Sequence, residues 1–132
     1  MSRNKKQYVD RYASAIVNDR FGTVFDSMCK SDSYKRLGLG ARHFYTLCRV
    51  QAQSKEGRAC LYKHGEDYDR MYTERDFVFP AAHLKEYGID RSNAHRYFDE
   101  LEAAGFIVKK EQNKFMKKVN VYSFSDRWKD SG

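Results

Sequence analysis

The sequence predicts an α+β fold: a three-helix core with a small antiparallel β-sheet beside it, and one more helix at the N-terminus. Three observations carry this. Ala41, Phe44, Tyr45, Cys48 and Ala52 fall on one helical face, with Leu47 on its flank. Residues 77–105 read as a short strand, a helix, a tight turn and a second helix. Residues 106–124 read as two strands, the second alternating with period two, around a lysine-rich turn.

Taken in order, residues 1–20 begin with a basic tip (Arg3, Lys5, Lys6). They continue with Tyr8, Val9, Tyr12, Ala13, Ile16 and Val17 at helical spacing. This is an amphipathic helix, either packed on the domain or pairing two copies of the chain. Residues 21–30 fit a short helix and an extended linker equally well. Residues 31–40, SDSYKRLGLG, have the small and polar composition of a connection, and Gly38 and Gly40 allow the next helix to start. The helix of residues 40–53 is the buried first helix of the core, with His43 and Arg49 expected to face solvent. Residues 55–76 form a polar, charged insertion broken by Gly57 and Gly65. It is expected to lie outside the core, with a short helix over DYDRMYTER as one option.

The next stretch carries the chemistry. Phe77, Val78 and Phe79 form a short strand that would pair with the edge of the hairpin. Pro80 suits a first helical turn, and Ala81, Leu84 and Tyr87 are expected to face inward. Gly88 ends that helix in a left-handed conformation, Ile89 plugs the gap between helices, and Asp90 caps the next one. On the second helix Ala94, Tyr97, Phe98, Leu101 and Ala104 share one face. The other side is polar and polarised: Arg91, Ser92, Asn93, His95 and Arg96 lead, while Asp99, Glu100 and Glu102 trail. Gly105 ends the helix. Lys109, Lys110, Asn113, Lys114, Lys117 and Lys118 then decorate a hairpin whose one acid is Glu111, and Trp128 is expected to tuck the tail.

At 132 residues with 41% hydrophobic content the chain suits one folded domain, residues 21–128, preceded by the helix of 1–20. The helix-turn-helix spans 80–104 and the hairpin 106–124. The net charge of +7 favours an anionic partner, nucleic acid ahead of an acidic membrane surface. No apolar run approaches the ~20 residues of a membrane span, and residues 1–10 lack the apolar core of a signal peptide, so a cytoplasmic location is expected. Cys29, Cys48 and Cys60 are odd in number and widely spaced, without a CxxC pair or zinc spacing. No cofactor or metal is expected. No HExxH, phosphate-cradling glycine loop or Cys–His pairing suggests an enzyme, and no aromatic strand motif suggests RNA.

Strand, helix, turn, helix and basic hairpin are the layout of a winged helix-turn-helix, whose second helix enters the DNA major groove. A helix that offers donors first and acids last should enter N-terminus first. Arg96 suits a bidentate grip on guanine and Asn93 suits adenine, while Arg91 and Ser92 suit phosphate. Lysines of the hairpin suit phosphate or the minor groove.

The run YGIDRSNAHRYFDELEAAGFI resembles bacterial winged helix-turn-helix domains. Together with FGTVFDSMCKSDSYKRLGLGARHFYTL and a return strand ending VYSFSDRW, residues 21–128 are similar to small accessory proteins of conjugative and other mobile elements. The resemblance implies a sequence-specific binder of double-stranded DNA on a plasmid or mobile element. It would act in a relaxosome or in replication, with a relaxase or replication proteins as partners, and as a homodimer if the site is palindromic. A transcriptional regulator and a winged-helix protein-interaction module are the alternatives that the same residues allow.

Overall fold

The computed structural model describes residues 22, 24–64, 72–112 and 119–130. The expected helix of 1–20, residues 65–71 of the insertion, and Asn113, Lys114, Lys117 and Lys118 of the hairpin lie outside the described residues. What is described is α+β: six helices and a three-stranded antiparallel sheet.

The chain opens with two single-turn helices: α1 (Asp26–Cys29), the short helix that was one of two options for residues 21–30, and α2 (Asp32–Lys35), where the sequence suggested a connection. Ser31 makes both possible. Its hydroxyl donates to the Met28 carbonyl at 2.7 Å and accepts the Tyr34 amide at 3.2 Å, closing one turn and capping the next. Helix α3 (Leu39–Gln53) starts at Gly38 and buries Ala41, Phe44, Tyr45, Cys48 and Gln51. His43 is exposed as expected, but Arg49 is half-buried. Its guanidinium donates to the Tyr45 hydroxyl at 2.6 and 2.9 Å and lies 3.8 Å from the centre of the Phe124 ring. A long side chain whose head finds an aromatic face and an oxygen has reason to leave water.

The insertion differs most from expectation. Its described helix, α4 (Ala59–His64), precedes DYDRMYTER, the stretch named as one option for a helix. Ala59 and Tyr72 are buried with Val78 and Val121 in a second apolar cluster, so this segment does contribute core. Gly57 lets it dock. A Cβ there would stand 1.9 Å from the Gln51 carbonyl oxygen, and the Gly57 carbonyl accepts the Val78 amide at 2.8 Å.

Strand β1 (Asp76–Val78) pairs antiparallel with β3 (Val121–Phe124), which pairs in turn with β2 (Ile107–Glu111), giving the order β1-β3-β2. The expected pairing with the hairpin is therefore observed for Phe77 and Val78, with the strand starting at Asp76 and ending before Phe79. Phe77 stacks on Phe124 at 4.6 Å, and Phe98 stacks on Tyr122 at 3.9 Å. Phe44 meets Phe98 edge-on at 4.8 Å, joining α3 to the helix above the sheet. Each buried ring of this kind contributes on the order of 2–3 kcal/mol by area removed from water.

Between β1 and β2 lie α5 (Ala81–Glu86) and α6 (Arg91–Ala103). Leu84 is buried and Tyr87 half-buried, but Ala81 is exposed, because Pro80 caps the helix and the first turn points outward. Both helices end alike. Gly88 at φ +75° lets the Ile89 amide reach the Leu84 carbonyl at 3.0 Å; Gly105 at φ +89° lets the Phe106 amide reach Leu101 at 3.0 Å. These are Schellman closures, which need a left-handed residue at that place. A 3-10 turn, Arg127–Lys129, finally lays Trp128 on Phe106 at 5.7 Å.

Candidate nucleic-acid interface

Helix α6 is positioned by its own ends. Asp90 accepts the Asn93 amide on Oδ1 at 2.8 Å, which fixes the first turn. From there Arg91, Ser92, His95 and Arg96 are all exposed. Among the described residues, the side chains of Arg91, Ser92 and His95 engage no hydrogen bond or ion pair. The sequence-predicted donors are therefore brought together on the first two turns of one helix.

Asn93 behaves differently from them. Its Nδ2 donates to Asp90 Oδ2 at 3.0 Å, while its Oδ1 accepts from Arg96 Nη2 at 2.8 Å. A carboxylate only accepts and a guanidinium only donates, so just one orientation of the amide satisfies both neighbours. Asn93, expected to read a base, is here the link between cap and Arg96. The Arg96 guanidinium also lies 5.6 Å from the Tyr97 ring centre, which holds its stem against the helix.

The trailing acids are not simply solvated. Glu100 Oε2 accepts the Gly38 amide at 2.7 Å, tying α6 to the start of α3. Glu102 Oε2 accepts the Lys109 amide at 2.8 Å, tying it to β2. Two carboxylates thus spend a lone pair on backbone amides of neighbouring elements, and Asp99 is left as the exposed acid of that face. Sequence reasoning missed both tethers, since each joins residues whose nearness depends on the tertiary fold.

At the base of the hairpin the lysines divide. Lys109 is half-buried, and Lys110 is held. Its Nζ sits 2.6 Å from Oδ2 of Asp76, a carboxylate whose side chain is 2% exposed. The same oxygen accepts the Thr73 amide at 2.8 Å. Lys110 also lies 5.3 Å from the Tyr72 ring centre, and the Tyr72 hydroxyl donates to Glu111. Lys110, expected to meet phosphate, fastens the hairpin to β1 and to the insertion. The clue in sequence was Asp76 itself, an acid placed just before an apolar strand.

Between the first turns of α6 and the hairpin base runs an open groove of about 800 Å³. Arg91, Ser92 and His95 edge one side and Gln112 and Asn120 the other, over Phe98 and Tyr122. Burial raises the Tyr122 phenol above its usual pKa, so this floor is uncharged at neutral pH. No group of three His, Cys, Asp or Glu side chains that could hold a metal occurs among the described residues. No helix among them is long and apolar enough to cross a membrane.

Comparisons with protein-family models, with curated proteins and with solved structures give no match to this chain.

Proposed function

We propose that this chain is a winged helix-turn-helix protein that binds double-stranded DNA, with α6 as the reading helix and the β2–β3 hairpin as the wing. One observation supports this above others: α6 exposes Arg91, Ser92, His95 and Arg96 on its leading turns, while Glu100 and Glu102 behind them are drawn onto backbone amides. Phosphates are attracted to the leading half and repelled by the acids beyond it, which favours entry N-terminus first. Arg96, steadied by Asn93, grips guanine; Arg91 and Ser92 contact phosphate; the lysines beyond Lys110 approach the backbone or the minor groove.

Its particular role, on this reading, is as an accessory factor in conjugative transfer or replication of a plasmid or other mobile element. The support is the likeness of residues 21–128 to such proteins, carried by RSNAHRYFDELEAAGFI and the strand ending VYSFSDRW. A transcriptional regulator would use the same module. A protein-interaction module would use the same surface for an acidic partner.

Selection of bound duplexes from a random pool tests this, followed by mapping the enriched motif onto the encoding element. A motif at an origin, beside a relaxase gene or over a promoter distinguishes the roles. Affinity for the selected duplex should fall steeply as salt rises. Arg96→Ala should cost about 1–3 kcal/mol and relax the preference at one base pair. A pool with no enriched motif, or binding that salt does not weaken, sinks the proposal.

A further inference from the structure

The surface around α6 extends onto a segment that no motif marks. Residues 36–38 join α2, which ends at Lys35, to α3, and side chains of α3 and α6 bind this stretch. Arg42 donates from Nε to the Leu37 carbonyl at 3.1 Å and from Nη2 to the Lys35 carbonyl at 2.8 Å, with its guanidinium 5.3 Å from the Tyr34 ring centre. The Gly38 amide is bound to Glu100 at 2.7 Å, and a Cβ on Gly40 would stand 2.6 Å from the Tyr97 hydroxyl. The segment therefore lies against the second and third turns of α6 with no room between them. Arg36 lies on it and Lys35 ends the helix before it; both are exposed, and neither side chain engages a partner among the described residues. Beside them Leu39 is 79% exposed.

Dimensions give this arrangement a meaning. Helix α6 has 13 residues, so it is about 20 Å long. A major groove is about 12 Å wide, less than the helix is long. If the leading turns occupy the groove, Glu100, one turn beyond Arg96 on the same stripe, stands where the phosphate strand bounds it. A carboxylate there repels that strand, and accepting the Gly38 amide leaves its charge in place. The chain it holds, however, supplies two exposed cations within two or three residues, which offset that charge. Consecutive Cα atoms are about 3.8 Å apart, so the Arg36 Cα lies within about 8 Å of that of Gly38, a distance its long side chain spans.

We propose that Lys35 and Arg36 form a second phosphate-binding element, gripping the backbone strand at the trailing edge of α6. This rests on the DNA-binding reading of α6. Guanidinium and ammonium at this edge add affinity that is indifferent to sequence, and Arg36 is the better phosphate ligand of the two because its fork is planar and bidentate.

The test compares the parent protein with Arg36→Ala and with Lys35→Ala/Arg36→Ala, on the selected duplex and on an unrelated one, over a range of salt. For Arg36→Ala both duplexes should lose affinity by the same factor. The slope of log affinity against log salt should shrink by about 0.9, so the deficit narrows about threefold between roughly 50 and 200 mM salt. The double variant should shrink the slope by about twice as much, with the preferred motif unchanged. Both side chains are exposed and without partners among the described residues, so the melting temperature of each variant should match that of the parent. Unchanged affinity and slope in a parent that binds DNA overturns this element alone, as does a loss confined to the selected duplex. A parent that binds no duplex removes the underlying reading instead.

Discussion

Gly88 and Gly105 do the same backbone work in different surroundings, and a methyl group separates the two. Nothing lies within 4 Å of a Cβ at Gly88, so Gly88→Ala meets only the left-handed backbone, a cost of about 1–2 kcal/mol. At Gly105 the new carbon would stand 2.7 Å from the Trp128 amide nitrogen as well, pushing the tail off Phe106. Urea unfolding should therefore show Gly105→Ala destabilised beyond Gly88→Ala, with the Trp128 fluorescence signal altered only in the former. Equal losses would mean that the tail does not bear on Gly105. Both glycines were legible as helix ends from sequence, because each follows an apolar-periodic run. Their unequal crowding was not, since it depends on residues 127 and 128 returning across the fold. Asn93 shows the same limit. Its residue type suits adenine, and only the geometry of Asp90 and Arg96 reveals an amide already used on both sides.

Among elements, the hairpin and the insertion share the pair of Asp76 and Lys110. The carboxylate is almost wholly buried and the ammonium side chain is 36% exposed, so solvent screens one partner more than the other. Loss of the lysine leaves a buried carboxylate with the Thr73 amide but no counter-charge. Lys110→Met should destabilise the fold by about 1–2 kcal/mol, more than an exposed lysine in a surface pair would. Lys30→Met, whose pair with Asp26 is 75% and 81% exposed, serves as the comparison and should fall within about 0.5 kcal/mol of the parent. Matching urea midpoints for the two variants would show that Asp76 is not held through Lys110. Long elements were the legible ones: α3 and α6 repeat their apolar residues over several turns, and β3 alternates cleanly. Helices α1 and α2 are single turns made by the Ser31 hydroxyl, too short for any period. Residues 55–76 looked wholly external because, among those described, their apolar burial falls on Ala59 and Tyr72, thirteen positions apart and brought together by docking on Phe77, Val78 and Val121.

For the whole molecule, the core is aromatic and holds protons tightly. Burial pushes the Cys48 thiol well above its usual 9.0, and the Tyr45 and Tyr122 phenols above 10.0. Arg49 opposes this at Tyr45 but does not outweigh it. The unfolded chain releases these protons at ordinary pH values while the folded chain keeps them. Their stabilising effect is therefore complete below about pH 9 and declines as pH rises through 9 and then 10. Urea midpoints should stay level over this linkage up to pH 9 and fall beyond it, and Cys48→Ala should remove the part of the decline that starts first. A midpoint that holds level to pH 11 would contradict the burial of all three groups. The polarity of α6 was visible in the order of its charges. What holds α6 was not: Glu100 grips the start of α3, Glu102 grips β2, and Phe98 stacks on Tyr122 of the sheet. A helix fastened on three sides cannot roll to follow an ill-fitting duplex. On the proposed DNA-binding reading, the adjustment then falls to the nucleic acid, and its energy depends on how readily each step bends. Flexible pyrimidine–purine steps beside the contacted bases should be enriched in the selected pool, a preference written by stiffness and not by touch.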